Sequence, residues 1–138
     1  MKQNAQKQKL WMLISILLML SIFLFSNQNG PSSQETSSFF SQWLTFMPHA
    51  DFFVRKAAHF TIYGCLGFSY YQTLQSKTDS HKNIWIAIGF AFLYACSDEI
   101  HQLFSDGRSG QFSDVLLDAL GSAFFIIISH LLSVKHRK

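Results

Sequence analysis

Charge is scarce in this sequence. Asp, Glu, Lys and Arg make up 14% of its 138 residues, against 49% hydrophobic residues and 15 phenylalanines, a balance that excludes an ordinary soluble domain. Only two cysteines occur, Cys65 and Cys96. They fall at different depths of separate apolar stretches, which argues against a disulfide between them and leaves both as small packing groups. No run of strand length alternates polar with apolar residues, so a membrane barrel is excluded. The chain also has no Gly-rich phosphate loop, no His-Glu-x-x-His metal motif and no internal repeat.

What is present is long apolar runs: Leu10 to Phe25, Ala57 to Leu74, Ile84 to Ser97 and Phe112 to Val134. A bilayer core needs roughly 20 apolar residues as helix, and helices alone can then satisfy the backbone in lipid. The expectation is an all-α integral membrane bundle of four transmembrane helices, forming a single domain over residues 1–138. Residues 1–26 would be an uncleaved N-terminal anchor, since no small-residue cleavage spacing follows the first run. With both ends cytoplasmic, Lys2, Lys7, Lys9, Lys77, Lys82, Lys135, Arg137 and Lys138 lie inside, and only Arg55, Lys56 and Arg108 lie outside. This N-in, C-in arrangement satisfies the positive-inside rule. The basic tails then face anionic lipid, and the pI near 9.0 does not call for nucleic acid.

Acidic residues are segregated the other way. Asp79 alone is inside, whereas Glu35, Asp51, Asp98, Glu99, Asp106, Asp114 and Asp118 are outside or in the outer ends of spans. The third apolar run has only 14 residues before Asp98, so a full span must carry Asp98, Glu99, His101 and Gln102. Ionisable groups at membrane depth mark functional sites by default. Between the first two spans, Pro31 and Ser32-x-x-Glu35 form a capping box, and Phe39, Phe40, Trp43, Leu44, Phe46 and Met47 follow at helical spacing. They predict a short interfacial helix on the outer side, or a loop packed over the bundle mouth by the same aromatics.

Helical spacing decides which polar groups share a face. Lys56, His59 and Tyr63 form one stripe, continued by Gly67 and Tyr70, and Gly64 and Gly67 would allow close helix approach. Asp98, His101 and Gln102 lie on adjoining faces of the third span, and Asp114, Asp118 and Gly121 align on the fourth. Paired carboxylates repel unless a cation neutralises them or one holds a proton; Arg55, Lys56 and Arg108 are the available cations. Ser113 reads as an N-cap.

At these residues a resemblance becomes specific. Lys56-x-x-His59-Phe60-x-x-Tyr63-x-x-Leu66-Gly67, then Asp98-Glu99-Ile100-His101-Gln102-Leu103-Phe104, Gly107-Arg108-Ser109-Gly110, Ser113-Asp114-Val115, Asp118 and Gly121, resemble the two signatures of the VanZ-like family. The resemblance covers about residues 55–134. It departs at Asp106, where relatives commonly carry proline, and at Asp118, where many have asparagine. It implies a multi-pass protein of the cell membrane linked to low-level resistance to glycopeptides such as teicoplanin.

Three classes of function are compatible with these residues. In an enzyme, Glu99, Asp98, Asp114, Asp118 and His59 would be catalytic, with Glu99 the essential proton-donating acid, acting on a lipid-linked glycan at the outer leaflet. Arg55, Lys56, Tyr63, His101, Gln102 and Arg108 would bind the substrate. No cofactor is expected, although Asp98, Glu99, His101, Asp114 and His59 have the chemistry to hold a divalent metal that activates water. In a binder, Arg55, Lys56 and Arg108 would hold the phosphates of a lipid-linked cell-wall precursor, or the site would hold a glycopeptide. A transporter ranks last, because the inner halves of the spans carry almost no polar groups beyond Ser129 and a lone His130.

Overall fold

The computed structural model describes residues 2–27, 35, 38, 39, 41, 42, 49–75, 80–105 and 110–135. Four helices hold nearly all of them: α1 (Lys2–Ser26), α2 (Ala50–Leu74), α3 (Ser80–Gln102) and α4 (Phe112–Lys135). No strand occurs among the described residues. Each helix has 23 to 25 residues, roughly 35 Å at the helical rise, enough for a hydrocarbon core of about 30 Å. α1, α3 and α4 are also apolar enough to cross a membrane. α2 is not, because Asp51, Arg55, Lys56 and His59 in its first turns are followed by Thr61, Ser69, Gln72 and Thr73 along the rest of the helix. The reason lies in its position: α2 packs against all three other helices, most extensively α4, and so has the least need of an apolar outer face.

Among the described residues the outside is apolar, whereas the interior mixes polar with apolar side chains. Leu13, Leu17 and Leu24 of α1, Trp85 and Leu93 of α3, and Leu120, Phe124 and Leu131 of α4 are all more than half exposed. The buried set contains Ser15, Ser69, Asn83, Asp98, Glu99, Gln102, Asp118 and Ser122. Apolar surface on this scale matches hydrocarbon as the solvent, and the inward polar groups are the glue of helices that lipid does not drive together.

α2 and α4 run parallel at a constant register. His59 meets Asp118, Ser122 Oγ donates to the Tyr63 carbonyl at 2.8 Å, and Tyr71 Oη meets His130 Nδ1 at 2.9 Å, each pair 59 residues apart. Two rows at four-residue spacing, His59-Tyr63-Gly67-Tyr71 and Asp118-Ser122-Ile126-His130, thus face each other. Small residues set their separation: a Cβ on Gly67 would lie 2.7 Å from Ser122 Cβ, and one on Gly121 would meet the Phe60 carbonyl. This is the close approach expected of the glycines on α2. Gly67→Leu should therefore destabilise the protein in detergent by at least about 1–3 kcal/mol. Gly89→Leu, with nothing within 4 Å of the added Cβ, should be neutral; equal unfolding midpoints for the two variants would refute the packing account.

α1 is fastened by hydrogen bonds: Ser15 Oγ to Ser69 Oγ at 2.9 Å, Tyr94 Oη to the Met19 carbonyl at 2.7 Å, and Gln8 Nε2 to the Thr73 carbonyl at 2.8 Å. The end of the bundle away from the acids is more polar than its sequence reads. His130 is not isolated there, because Tyr71 bonds it and the His81 ring lies 5.5 Å away. Asn83 is fully buried and donates to the Leu74 carbonyl at 3.1 Å. Fully buried Leu66 and Ile126 lie between the two polar ends of the seam. Most of the expected interfacial helix, including Pro31, Ser32 and Trp43, lies outside the described residues; of it, Glu35, Ser38, Phe39 and Ser41 are helical.

Candidate functional site

Three helix ends meet at the acidic pole: the start of α2, the end of α3 and the start of α4. α2 begins at His49, the only non-glycine residue with positive φ among those described (58°), whose carbonyl accepts from Phe52 N at 3.0 Å. From there the predicted stripe descends one turn at a time, and each step meets an acid. Lys56 Nζ pairs with Asp114 Oδ1. His59 Nδ1 lies 3.5 Å from Asp118 Oδ2. The His59 ring stacks along Tyr63 at 6.3 Å, with 13° between the planes, and the Tyr63 hydroxyl comes within electrostatic reach of both Asp98 and Asp118. The spacing of three and four residues along α2 thus matches the four-residue spacing of Asp114 and Asp118 on α4.

Burial deepens along this ladder. Lys56 and Asp114 are partly exposed, whereas Asp98 and Asp118 are 5% and 0% exposed. Asp98 Oδ2 accepts from Gln102 Nε2 at 3.2 Å, the pairing that one turn of α3 makes available. Tyr63 Oη and Asp118 Oδ1 are buried with no hydrogen-bond partner among the described residues. Unpaired buried polar atoms are costly, and these two fall within electrostatic reach of each other.

Glu99 sits about 100° round α3 from Asp98 and has different company. Its Oε2 accepts the Gln111 backbone N–H at 2.7 Å, while Oε1 is buried and has no partner among the described residues. The bond forms because Gly110 lies tightly against α3, where a Cβ on it would lie 2.6 Å from the Glu99 carbonyl oxygen. The sequence placed Glu99 beside Asp114 or Asp118; in the structure those two carboxylates are taken by Lys56 and His59, and Glu99 is taken by a backbone N–H. His101 turns toward α1, its ring 4.9 Å from that of Phe23, with Nε2 buried and unpartnered among the described residues.

Arg55 is half-buried and forms no ion pair among the described residues. Arg108 lies outside the described residues, as does the turn that carries it. Ser113 is not an N-cap: α4 begins at Phe112, and Ser113 Oγ donates to Asp114 Oδ1 at 3.2 Å from inside the helix. Among the described residues no three His, Cys, Asp or Glu side chains converge as a metal ligand set; Asp98, Glu99, His101, Asp114 and His59 are divided among separate partners. The sequence missed the Gln111 N–H and the Phe23 ring. Neither carries a signal of its own, since one is a main-chain group and the other is one of many phenylalanines.

Comparison with known proteins bears on the whole of this arrangement. A family model described as VanZ/LLP1 matches residues 11–133. No curated protein and no solved structure matches the chain. The match reaches back through α1, well before the stretch from residue 55 where the signature-like motifs begin, and it includes every site residue named above. The chain belongs to the VanZ/LLP1 family and is a multi-pass membrane protein of that family.

Proposed function

We propose that this chain spans the cell membrane four times with both ends cytoplasmic, and that its acidic site works at the outer leaflet on a lipid-linked glycan of the cell envelope. Through that activity it would contribute to resistance against teicoplanin. Glu99 is the acid that gives a proton to the leaving oxygen, and Asp114 and Asp118, each held by a base on α2, supply the complementary negative charge. Asp98 and His59 shape the charge around them. Tyr63 and Gln102 lie buried beside Asp98 and His101 faces α1, and Arg55, Lys56 and Arg108 hold the phosphates.

One observation carries the reading: Glu99 has one oxygen fixed by the Gln111 N–H and the other buried without a partner among the described residues. A positioned carboxyl with one oxygen to spare is what general acid catalysis requires. The test is incubation of the purified protein with lipid-linked wall intermediates, with and without chelator, followed by mass spectrometry. A new product in both arms supports carboxylate chemistry; a product abolished by chelator assigns the step to a divalent metal. An unaltered lipid that stays bound favours the second reading, a non-enzymatic binder, to which the unpaired Arg55 also lends itself.

The four-span topology has its own expected result. Cysteines introduced at Ser33 and Ser109 should react with an impermeant thiol reagent on intact cells, and one at Ser80 should not. Labelling at Ser80 with protection at Ser109 would invert the protein and move the site to the other leaflet.

A further inference from the structure

Glu99 differs from the other acids of the site in what it faces. It lines an open groove of about 270 Å³ between the last turns of α3 and the first turn of α4. The groove's rim is apolar and outward-facing: Ile100, Leu103 and Phe112 line it and are 57%, 62% and 67% exposed. It therefore opens through the same exposed apolar surface that Leu93 and Leu120 continue along the two helices, which in a membrane is covered by hydrocarbon. Glu99 itself is 6% exposed, and its Oε1 has no partner among the described residues.

A buried carboxyl oxygen surrounded by apolar walls lacks the hydrogen bond that would offset its desolvation. Of the other lining side chains only those of Cys96 and Gln111 carry polar atoms, and neither bonds Oε1, so a partner for it can come with whatever fills the groove. Its volume lies below the range of about 300–1,000 Å³ typical of sites that enclose a whole small molecule. Its largely apolar lining suits the start of a hydrocarbon chain and its first oxygen rather than a glycan.

We infer that the groove takes the neck of a bilayer amphiphile, with the chain against Ile100, Leu103 and Phe112 and the oxygen that joins chain to head group against Oε1 of Glu99. This rests on the proposed reading for the reaction that follows. It adds the direction of approach: the substrate slides in sideways from the leaflet, and its head group stays above, toward the ladder on α2.

The protein is reconstituted in vesicles of phosphatidylethanolamine and phosphatidylglycerol doped with a phosphatidylethanolamine that carries a diazirine near the glycerol end of one acyl chain. After irradiation, adducts should concentrate several-fold on Ile100, Leu103 and Phe112 relative to Leu24 and Phe25, which are similarly exposed at the same end of the bundle on α1. Cys96 also lines the groove, so Cys96→Phe should bring the adducts down to the level of those controls. If that variant fails to fold, the native thiol reports instead: in a Cys65→Ser background, Cys96 should react with a bilayer-dissolved maleimide far faster than with an impermeant one. An even spread of adducts, or equal reaction with both maleimides, overturns the inference. Persistence of the adduct pattern in Glu99→Gln supports the groove, whether or not that variant retains function. Retention of function there would remove the catalytic reading alone.

Discussion

Glu99→Gln should abolish function while the protein folds normally. The change keeps the shape of the side chain and preserves an oxygen for the Gln111 N–H, which holds the wild-type carboxylate at 2.7 Å. It removes only the proton that Glu99 can give. General acid catalysis contributes about 10²–10⁴-fold to a rate, so turnover of a lipid-linked glycan should fall by at least about 10²-fold, and teicoplanin resistance in a cell dependent on this protein should fall with it. Thermal unfolding in detergent should be almost unchanged. Glu99→Asp should fail nearly as badly, because shortening the side chain withdraws the acid from its position, and a 1 Å misplacement is enough to cost about 10²-fold. A phosphate-binding site would tolerate that second change. Full activity in a well-expressed Glu99→Gln protein would leave Glu99 as a brace for the turn between α3 and α4, and the binder reading would take precedence.

His59→Leu should be among the most destabilising single changes in the chain. Asp118 is fully buried, and the His59 ring is the one basic side chain within bonding distance of it among the described residues, at 3.5 Å. Removing one partner from a buried pair is expected to cost about 3–5 kcal/mol, because the remaining charge is left uncompensated. Replacing both partners by apolar groups should recover much of that loss. The double variant His59→Leu with Asp118→Leu is thus expected to be more stable than His59→Leu alone, although inactive. Reversible unfolding of the four members of this cycle in mixed micelles measures the coupling directly. Purely additive losses would show that the two side chains are neighbours without being partners, and the ladder on α2 would then reduce to Lys56 and Asp114.

These two results address different parts of the site, and the parts differ in how far they could be read in advance. The stripe Lys56, His59 and Tyr63 and the pair Asp114 and Asp118 were legible because helical periodicity places residues three and four apart on one face. The placement of Asp98 and Glu99 at a helix end followed from the shortness of the apolar run before them. Pairing was not legible. Spacing allows Glu99 to work with Asp114 or Asp118, and only the structure shows that the direct bonds of those carboxylates go to α2 and that of Glu99 to a main-chain N–H.

By itself the sequence determined four helices, their outward apolar surfaces and the gathering of acids at one pole. All of these depend on composition and on contacts within a few residues along one segment. The tertiary structure alone decided the 59-residue register that matches His59 with Asp118 and Tyr71 with His130. It also decided the closeness of Gly67 to Ser122, the return of Gly110 onto α3, and the polar end where His81 approaches His130. Periodicity gives the face that a side chain occupies, but its partner depends on how far one helix has slid and turned against another. Here that is settled by backbones meeting where side chains are smallest, a condition that no single segment contains.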